Sequence, residues 1–171
     1  SSNILHGANG VLFYNQIPSP TAPVLLRRIN GDGTGDQPVL VNLPSTLYPT
    51  ISRDGRRLLV TSPDPGRPFK ISQNVYVLDL LTGFIGRATS YQDEFVLDGV
   101  RFEDDLSPRF GDGRISSYKV NFPYHKAFSP DGSSVVVMNL FKSGSIVNPD
   151  DVLASSGRFP LADVYNLADA L

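Results

Sequence analysis

The sequence predicts an all-β fold of four-stranded antiparallel units, and three observations point there. One turn occurs twice. Tyr48-Pro-Thr-Ile-Ser52-Arg-Asp54-Gly55 runs into the apolar Leu58-Leu-Val60, and His125-Lys-Ala-Phe-Ser129-Pro-Asp131-Gly132 runs into Val135-Val-Val-Met138. Asp-Gly between two apolar runs is a strong hairpin signal, because Asp bonds within its own turn and Gly supplies a positive φ. Next, 15 Gly and 14 Pro are spread through 171 residues without a period, which cuts the chain into many short strands. Last, the apolar runs are short and mostly branched, and Pro149–Ser155 alone reads as a helix, of about two turns.

The elements follow in order. Gly10–Tyr14 reads as a strand, and Pro18–Pro23 as a loop whose prolines exclude a central strand. Val24–Ile29 is a strand, Asn30–Asp36 a Gly-rich turn, and Val39–Leu43 a strand. Tyr48–Ser52 leads into the first Asp-Gly hairpin, and Pro63–Ser72 is a Pro-containing loop. Asn74–Leu80 is a strand that turns at Leu81-Thr-Gly83 into Ile85–Thr89. Tyr91–Pro123 is poorly patterned, with possible strands at Phe95–Leu97 and Ile115–Val120. After the second hairpin, Lys142–Pro160 reads as a long loop and Ala162–Leu167 as a last strand. Leu58-Leu-Val60 and Val135–Met138 are apolar at every position. Both are therefore expected to be buried on two faces, between sheets.

Bulk composition narrows the partners. The net charge is −2 and the chain is 40% hydrophobic. No basic field is available for nucleic acid, and no apolar run approaches the roughly 20 residues of a membrane helix. Cysteine is absent, which excludes disulfides, thiolate metal sites and cysteine nucleophiles.

The pieces align as a unit of strands a, b, c and d. The stretch from Tyr48 to Thr89 is a complete copy. Gly10–Leu43 supplies b, c and d of an earlier one, and His125–Leu167 supplies a, b and c of a later one. One domain over 1–171 results, with units at about 10–43, 47–90 and 123–171, and insertions at about 91–122 and 142–160. The b-strands at Val11 and Leu58 lie 47 residues apart, a propeller-blade spacing. The turns at Asp54 and Asp131 lie 77 apart, so 91–122 is either an insertion, the preferred reading, or a degenerate unit.

These residues resemble the WD40-like (PD40) repeats of TolB-type β-propellers. Phe128-Ser129-Pro130-Asp131-Gly132 matches that family's Ser-Pro-Asp-Gly turn, and Ser52-Arg53-Asp54-Gly55 matches it with Arg in place of Pro. Asn74-Val-Tyr-Val-Leu-Asp79-Leu-Leu-Thr-Gly83 resembles the c-strand and its turn, Asp163–Leu167 matches in part, and Leu26–Gly35 looks like a c-to-d turn. The resemblance implies about three β-propeller-type blades, a partial or half propeller, since closure takes typically four to eight. A longer protein, or a homodimer of two copies, would complete the ring. The resemblance also implies a periplasmic or extracellular location. It is nearly silent on activity, because the matched residues build turns.

In such a meander, a–b and c–d turns share one end, and b–c and d–a connections share the other. Every long connection (Gln16–Pro23, Pro63–Ser72, Tyr91–Pro123 and Lys142–Pro160) falls at the second end, which is therefore the expected binding face. Its candidate residues are Arg67, Phe69 and Lys70; Tyr91, Phe102, Arg109, Phe110 and Tyr124, with His125 beneath; and Phe141, Lys142, Arg158 and Phe159. Aromatics with Arg compose interfaces, although the same aromatics can simply pack down on their own blades. The expected partner is a protein or peptide, with no nucleic acid, no membrane insertion, no cofactor and no metal.

Catalytic constellations are weak. Glu103-Asp104-Asp105 could attract calcium but reads better as a solvated loop. Asn30–Asp36 lacks the bidentate Glu of a calcium loop. His125 could be a ligand or base, yet His6 is the other of just two histidines. No Gly-x-Ser-x-Gly elbow occurs. The reading is a non-enzymatic scaffold. The alternative is the propeller portion of a peptidase, lyase or glycosidase whose catalytic residues are not evident in this chain.

Overall fold

The computed structural model describes residues 4–39, 41–66, 71–104, 113–139, 144–154 and 159–160. The two Asp-Gly turns organise it. Ser52 Oγ donates to Asp54 Oδ1 at 2.6 Å and accepts from the Arg57 amide at 3.0 Å, while Asp54 Oδ1 accepts from the Arg56 amide at 3.0 Å. Gly55, at φ 73°, closes the reversal by donating to the Ser52 carbonyl at 2.9 Å. Ser129, Asp131 and Gly132 repeat these bonds to within 0.1 Å, with Gly132 at φ 74°.

Four antiparallel sheets follow along the chain. The first is β1 (Leu5–His6), β2 (Val11–Gln16), β3 (Leu25–Asn30) and β4 (Gln37–Pro38), in that order. The second is the meander β5 (Leu47–Ile51), β6 (Arg57–Pro63), β7 (Gln73–Asp79) and β8 (Phe84–Arg87). The third places β9 (Asp93–Leu97) between β10 (Val100–Asp104) and β11 (Ile115–Lys119). The fourth is β12 (His125–Phe128), β13 (Val135–Met138) and β14 (Ser145–Val147). Helix α1 (Pro149–Ala154) comes next, and β15 (Phe159–Pro160) pairs with β8 at the edge of the second sheet.

The second sheet is the middle layer. Because side chains alternate along a strand, Leu58, Val60, Tyr76, Leu78 and Ile85 meet Val11, Phe13 and Leu26 of the first sheet. Leu59, Val75 and Val77 point the other way and meet Val135, Val137, Tyr91 and Leu153. Leu58, Leu59 and Val60 are fully buried, so two-faced apolarity in β6 does report burial between sheets. Helix α1 lies across β8. Asn148 starts it by accepting the Asp150 amide at 2.8 Å, and Gly86 leaves the helix room, since a Cβ there would stand 2.6 Å from the Val152 carbonyl oxygen.

The structure corrects several expectations. β13 is buried on one face only: Val135 and Val137 are enclosed, while Val136 and Met138 are 42% and 63% exposed. No described sheet packs outside it, so its outer apolar residues meet no second layer among the described residues. Of the expected strand Val39–Leu43, the described residues Val39 and 41–43 are not strand; pairing stops at Gln37–Pro38, with one further bond from the Val39 amide to Leu26. The first sheet begins with the short strand β1, so it carries an a-strand as well as b, c and d. Tyr91–Pro123 contains the third sheet, whose order β10-β9-β11 is not that of a meander. Lys142–Pro160 is not all loop, since β14 and α1 lie within it, and β14 is the strand that pairs with β13. The expected strand at Ala162–Leu167 lies outside the described residues.

Candidate functional site

The 63–72 and 91–123 connections meet at the end of the second sheet where β5 begins and β6 ends, and a buried polar network fastens them. The expectation that 142–160 gathers there too fails for its described later part: Asp150 pairs with Arg57 at 2.7 Å beside the first Asp-Gly turn, and Phe159 pairs with Ile85 just after the turn at Leu81–Gly83, because β14 carries the chain back to the turn end. Asn74 Nδ2 donates to both Asp64 carboxylate oxygens at 3.1 and 3.2 Å, and its Oδ1 accepts from Thr89 Oγ1 and the Tyr91 amide, each at 2.7 Å. The Tyr76 hydroxyl also donates to Asp64, and Arg87 Nη2 stands 3.5 Å from that carboxylate. Burial first, and then the adjacent carboxylate, push the Tyr76 phenol up, so it stays a proton donor. One buried acid thereby holds the start of the 63–72 connection against β7 and β8. Buried polar groups persist when bonded in this way.

A second group extends the network to the fourth sheet. Asp93 accepts from the Ile71 and Ser72 amides at 3.0 and 2.6 Å. Ser72 Oγ accepts from the Asn121 amide at 2.8 Å, Asn121 Nδ2 reaches the Gln92 carbonyl at 2.7 Å, and Asn139 Nδ2 reaches Asn121 Oδ1 at 2.9 Å. Thr61 Oγ1 bonds the Pro123 carbonyl at 3.1 Å. The backbone entering β12 is thus held from three sides.

Over this base sits an aromatic rim where β5 meets β12. Tyr48 occupies a bulge: Leu47 pairs with Thr61 but Thr50 pairs with Leu59. Its φ of 47° lies in the left-handed region, rare for a bulky residue. The bulge turns the ring outward, 54% exposed, where it meets the Tyr124 ring at 4.7 Å. Phe122 stacks on Tyr124 at 5.6 Å. The Lys126 ammonium crosses from β12 and donates to the Tyr48 carbonyl at 2.8 Å, with the Tyr124 carbonyl at 3.5 Å. Burial draws the Lys126 pKa down to about 8.

Among the sequence-derived candidates, Tyr124 lies in this rim, 36% exposed, and His125 is the exposed first residue of β12. Tyr91 is buried at 7% in the core beside Leu59 and Val135, so it packs down on its sheet rather than facing solvent. Phe102 stacks on Phe95 within the third sheet at 5.4 Å. Arg67, Phe69, Lys70, Arg109, Phe110, Phe141, Lys142 and Arg158 lie outside the described residues, as does the Phe159 side chain. Glu103 and Asp104 fall in β10, not in a loop. Among the described residues, no three His, Asp or Glu side chains converge as metal ligands, and no helix is long and apolar enough to cross a membrane.

Sequence reasoning did not single out Tyr48, Phe122 or Lys126. Tyr48 stands directly before Pro49 at the start of a strand, a place where bulges and edge irregularities gather, and that was the available signal. Lys126 carried none, since its role depends on a carbonyl 78 residues away.

No family model and no curated protein matches the sequence. Two solved structures are similar in outline. Hydrazine synthase from Kuenenia stuttgartiensis aligns with TM-score 0.40 and 11% identity over 85% of this chain and 57% of that one. TolB from Acinetobacter baumannii aligns with TM-score 0.38 and 16% identity over 93% of this chain and 43% of that one. The chain thus spans about half the length of either, and at these scores neither likeness bears on activity or partners.

Proposed function

We propose that this chain is a non-enzymatic β-propeller-type scaffold that takes a protein or peptide segment at the end where the 63–72 and 91–123 connections meet. The observation that carries this reading is the pair of exposed rings, Tyr48 and Tyr124, with Phe122 stacked on Tyr124, standing on a hydrogen-bonded polar base. Rigid aromatics offer large contact area at little entropic cost, and a fixed base removes the ordering cost of the loops. Arg67, Phe69, Lys70, Arg109, Phe110 and Phe141 belong to the connections at this end in sequence and are proposed to widen the surface, whereas β15 pairs Phe159 with Ile85 near the opposite end of the sheet. The PD40 character of the repeats is supported by the matched Ser52 and Ser129 turns, while the periplasmic or extracellular placement rests on the resemblance alone.

The test is a peptide library displayed on the purified chain, followed by affinity measurements on the selected peptide. Tyr48→Ala and Tyr124→Ala should each weaken binding about tenfold or more, a loss of about 1.4 kcal/mol, with thermal unfolding little changed. Unaltered affinity in both variants would place the binding surface elsewhere.

The outer face of the fourth sheet, which no described sheet covers, supports assembly as part of the same reading. Val136 and Ile146 stand directly opposite each other there, 42% and 74% exposed, with Met138 alongside. We read a second copy of this chain as the missing neighbour, and light scattering during size-exclusion chromatography decides it: a dimer's mass is expected, and a monomer's mass at high concentration would refute it.

A further inference from the structure

We propose that Lys126 anchors a carboxylate of the bound peptide, with the Tyr48 and Tyr124 rings holding an apolar side chain beside it. The inference rests on the peptide-binding reading above and gives it a ligand chemistry. An ammonium has three N–H donors. Two carbonyls, of Tyr48 at 2.8 Å and Tyr124 at 3.5 Å, take at most two of them. Lys126 has no carboxylate within ion-pair distance among the described residues. A partly desolvated cation without a counter-charge is costly, and an arriving anion removes that cost.

The surroundings fix the rest of the ligand. The left-handed bulge at Tyr48 does two things at once: it turns the Tyr48 carbonyl toward Lys126 and throws the Tyr48 ring outward against Tyr124. Backbone strain of this kind persists only where the surroundings over-determine it, and it clusters at binding sites. An anion-seeking cation at the foot of two exposed rings suits a carboxylate next to an aromatic or aliphatic residue. With a pKa of about 8, the Lys126 ammonium is still mostly protonated at neutral pH. The carboxylate can be a free chain terminus or an internal Asp or Glu, and the probes must separate the two.

The experiment titrates the isotope-labelled chain with three synthetic peptides, followed by NMR at the Tyr48 and Tyr124 amides and the Lys126 side chain. The probes are acetyl-Ala-Phe-Phe with a free carboxylate, the same peptide amidated, and an amidated acetyl-Ala-Phe-Glu-Phe. The expected result is saturable shifts with the free acid, with the Glu peptide, or with both, and at least tenfold weaker binding of the simple amide. Lys126→Met should abolish that preference and Lys126→Arg should keep it. An amide that binds the unaltered chain as tightly as both the free acid and the Glu peptide overturns the proposal without relying on any variant. If the amide binds as well as both and Tyr48→Ala weakens all three, the peptide surface stands and the carboxylate anchor falls. If no probe shifts any rim residue, both fall.

Discussion

The second and fourth sheets begin with the same turn and differ in almost everything after it. Ser52-Arg-Asp54-Gly55 and Ser129-Pro-Asp131-Gly132 share their hydrogen bonds to a tenth of an ångström. Yet β6, which leaves the first turn, is buried on both faces, and β13, which leaves the second, is open on one. A turn is a local object, satisfied by six residues. Burial is a property of neighbours, and the second sheet has one on each side while the fourth has a described neighbour only on its inner face.

Three perturbations bear on that contrast. The largest effect is expected in the strands. Leu59→Ala should cost about 2–5 kcal/mol in urea denaturation, because the side chain lies wholly within the core. At concentrations low enough to keep the chain monomeric, Val136→Ala should stay within about 0.5 kcal/mol, as for other surface changes, and its cost should grow where the dimer forms. A comparable loss at Val136 in the dilute monomer would mean that the chain itself covers the outer face of β13.

The turns come next. Gly55→Ala and Gly132→Ala both force a non-glycine residue to positive φ, at about 1–2 kcal/mol each. At Gly132 the new methyl meets nothing within 4 Å, whereas at Gly55 it would stand 2.4 Å from the Ala8 amide nitrogen and 2.7 Å from the Gly7 carbonyl carbon. Gly55→Ala should therefore be clearly the more damaging in thermal unfolding. Equal shifts would show that the first turn is not clamped by the segment before β2.

The smallest effect is acidic. The Ser133 amide and the Ser129 and Ser133 hydroxyls hold the Asp131 carboxyl down to about 2, and Ser52 and the Arg56 amide hold Asp54 low as well. A folded-state pKa below the unfolded value of about 3.9 contributes stability that is full above that pH. The contribution is lost as pH falls toward 2. Unfolding followed between pH 5 and 2 should show this decline, reduced in Asp131→Ala, with a stability change no larger than that of Gly132→Ala. An unchanged acid profile would mean that the Asp131 bonds do not persist in solution.

Much of the fold was legible in the sequence, and the reason is local. Ser52, Asp54 and Gly55 announce a hairpin because their chemistry closes on itself within the turn. Asn74-Val-Tyr-Val-Leu-Asp79 reads as a strand with a following turn, and Asp79 Oδ1 does accept the Leu81 and Thr82 amides at 2.9 and 3.0 Å. Strand β10 escaped because three of the five residues in Val100-Arg-Phe-Glu-Asp104 are charged and the segment is ordered by pairing with β9 residue for residue. Strand β14 escaped because three residues carry too little pattern. Asp64, Asn74, Asp93 and Asn121 stand singly in the sequence, and nothing in their spacing says that they share one buried network.

The sequence by itself determined the all-β class, the two Asp-Gly hairpins and the helix at Pro149. Each follows from φ preferences, side-chain alternation or capping, which are properties of neighbouring residues. Only the tertiary structure decided which apolar strand is enclosed, which aromatics sink and which stand outward, and that Lys126 reaches the carbonyl of Tyr48. Those outcomes depend on which surfaces meet across distances of 17 to 78 residues, where the chain's local preferences exert no hold.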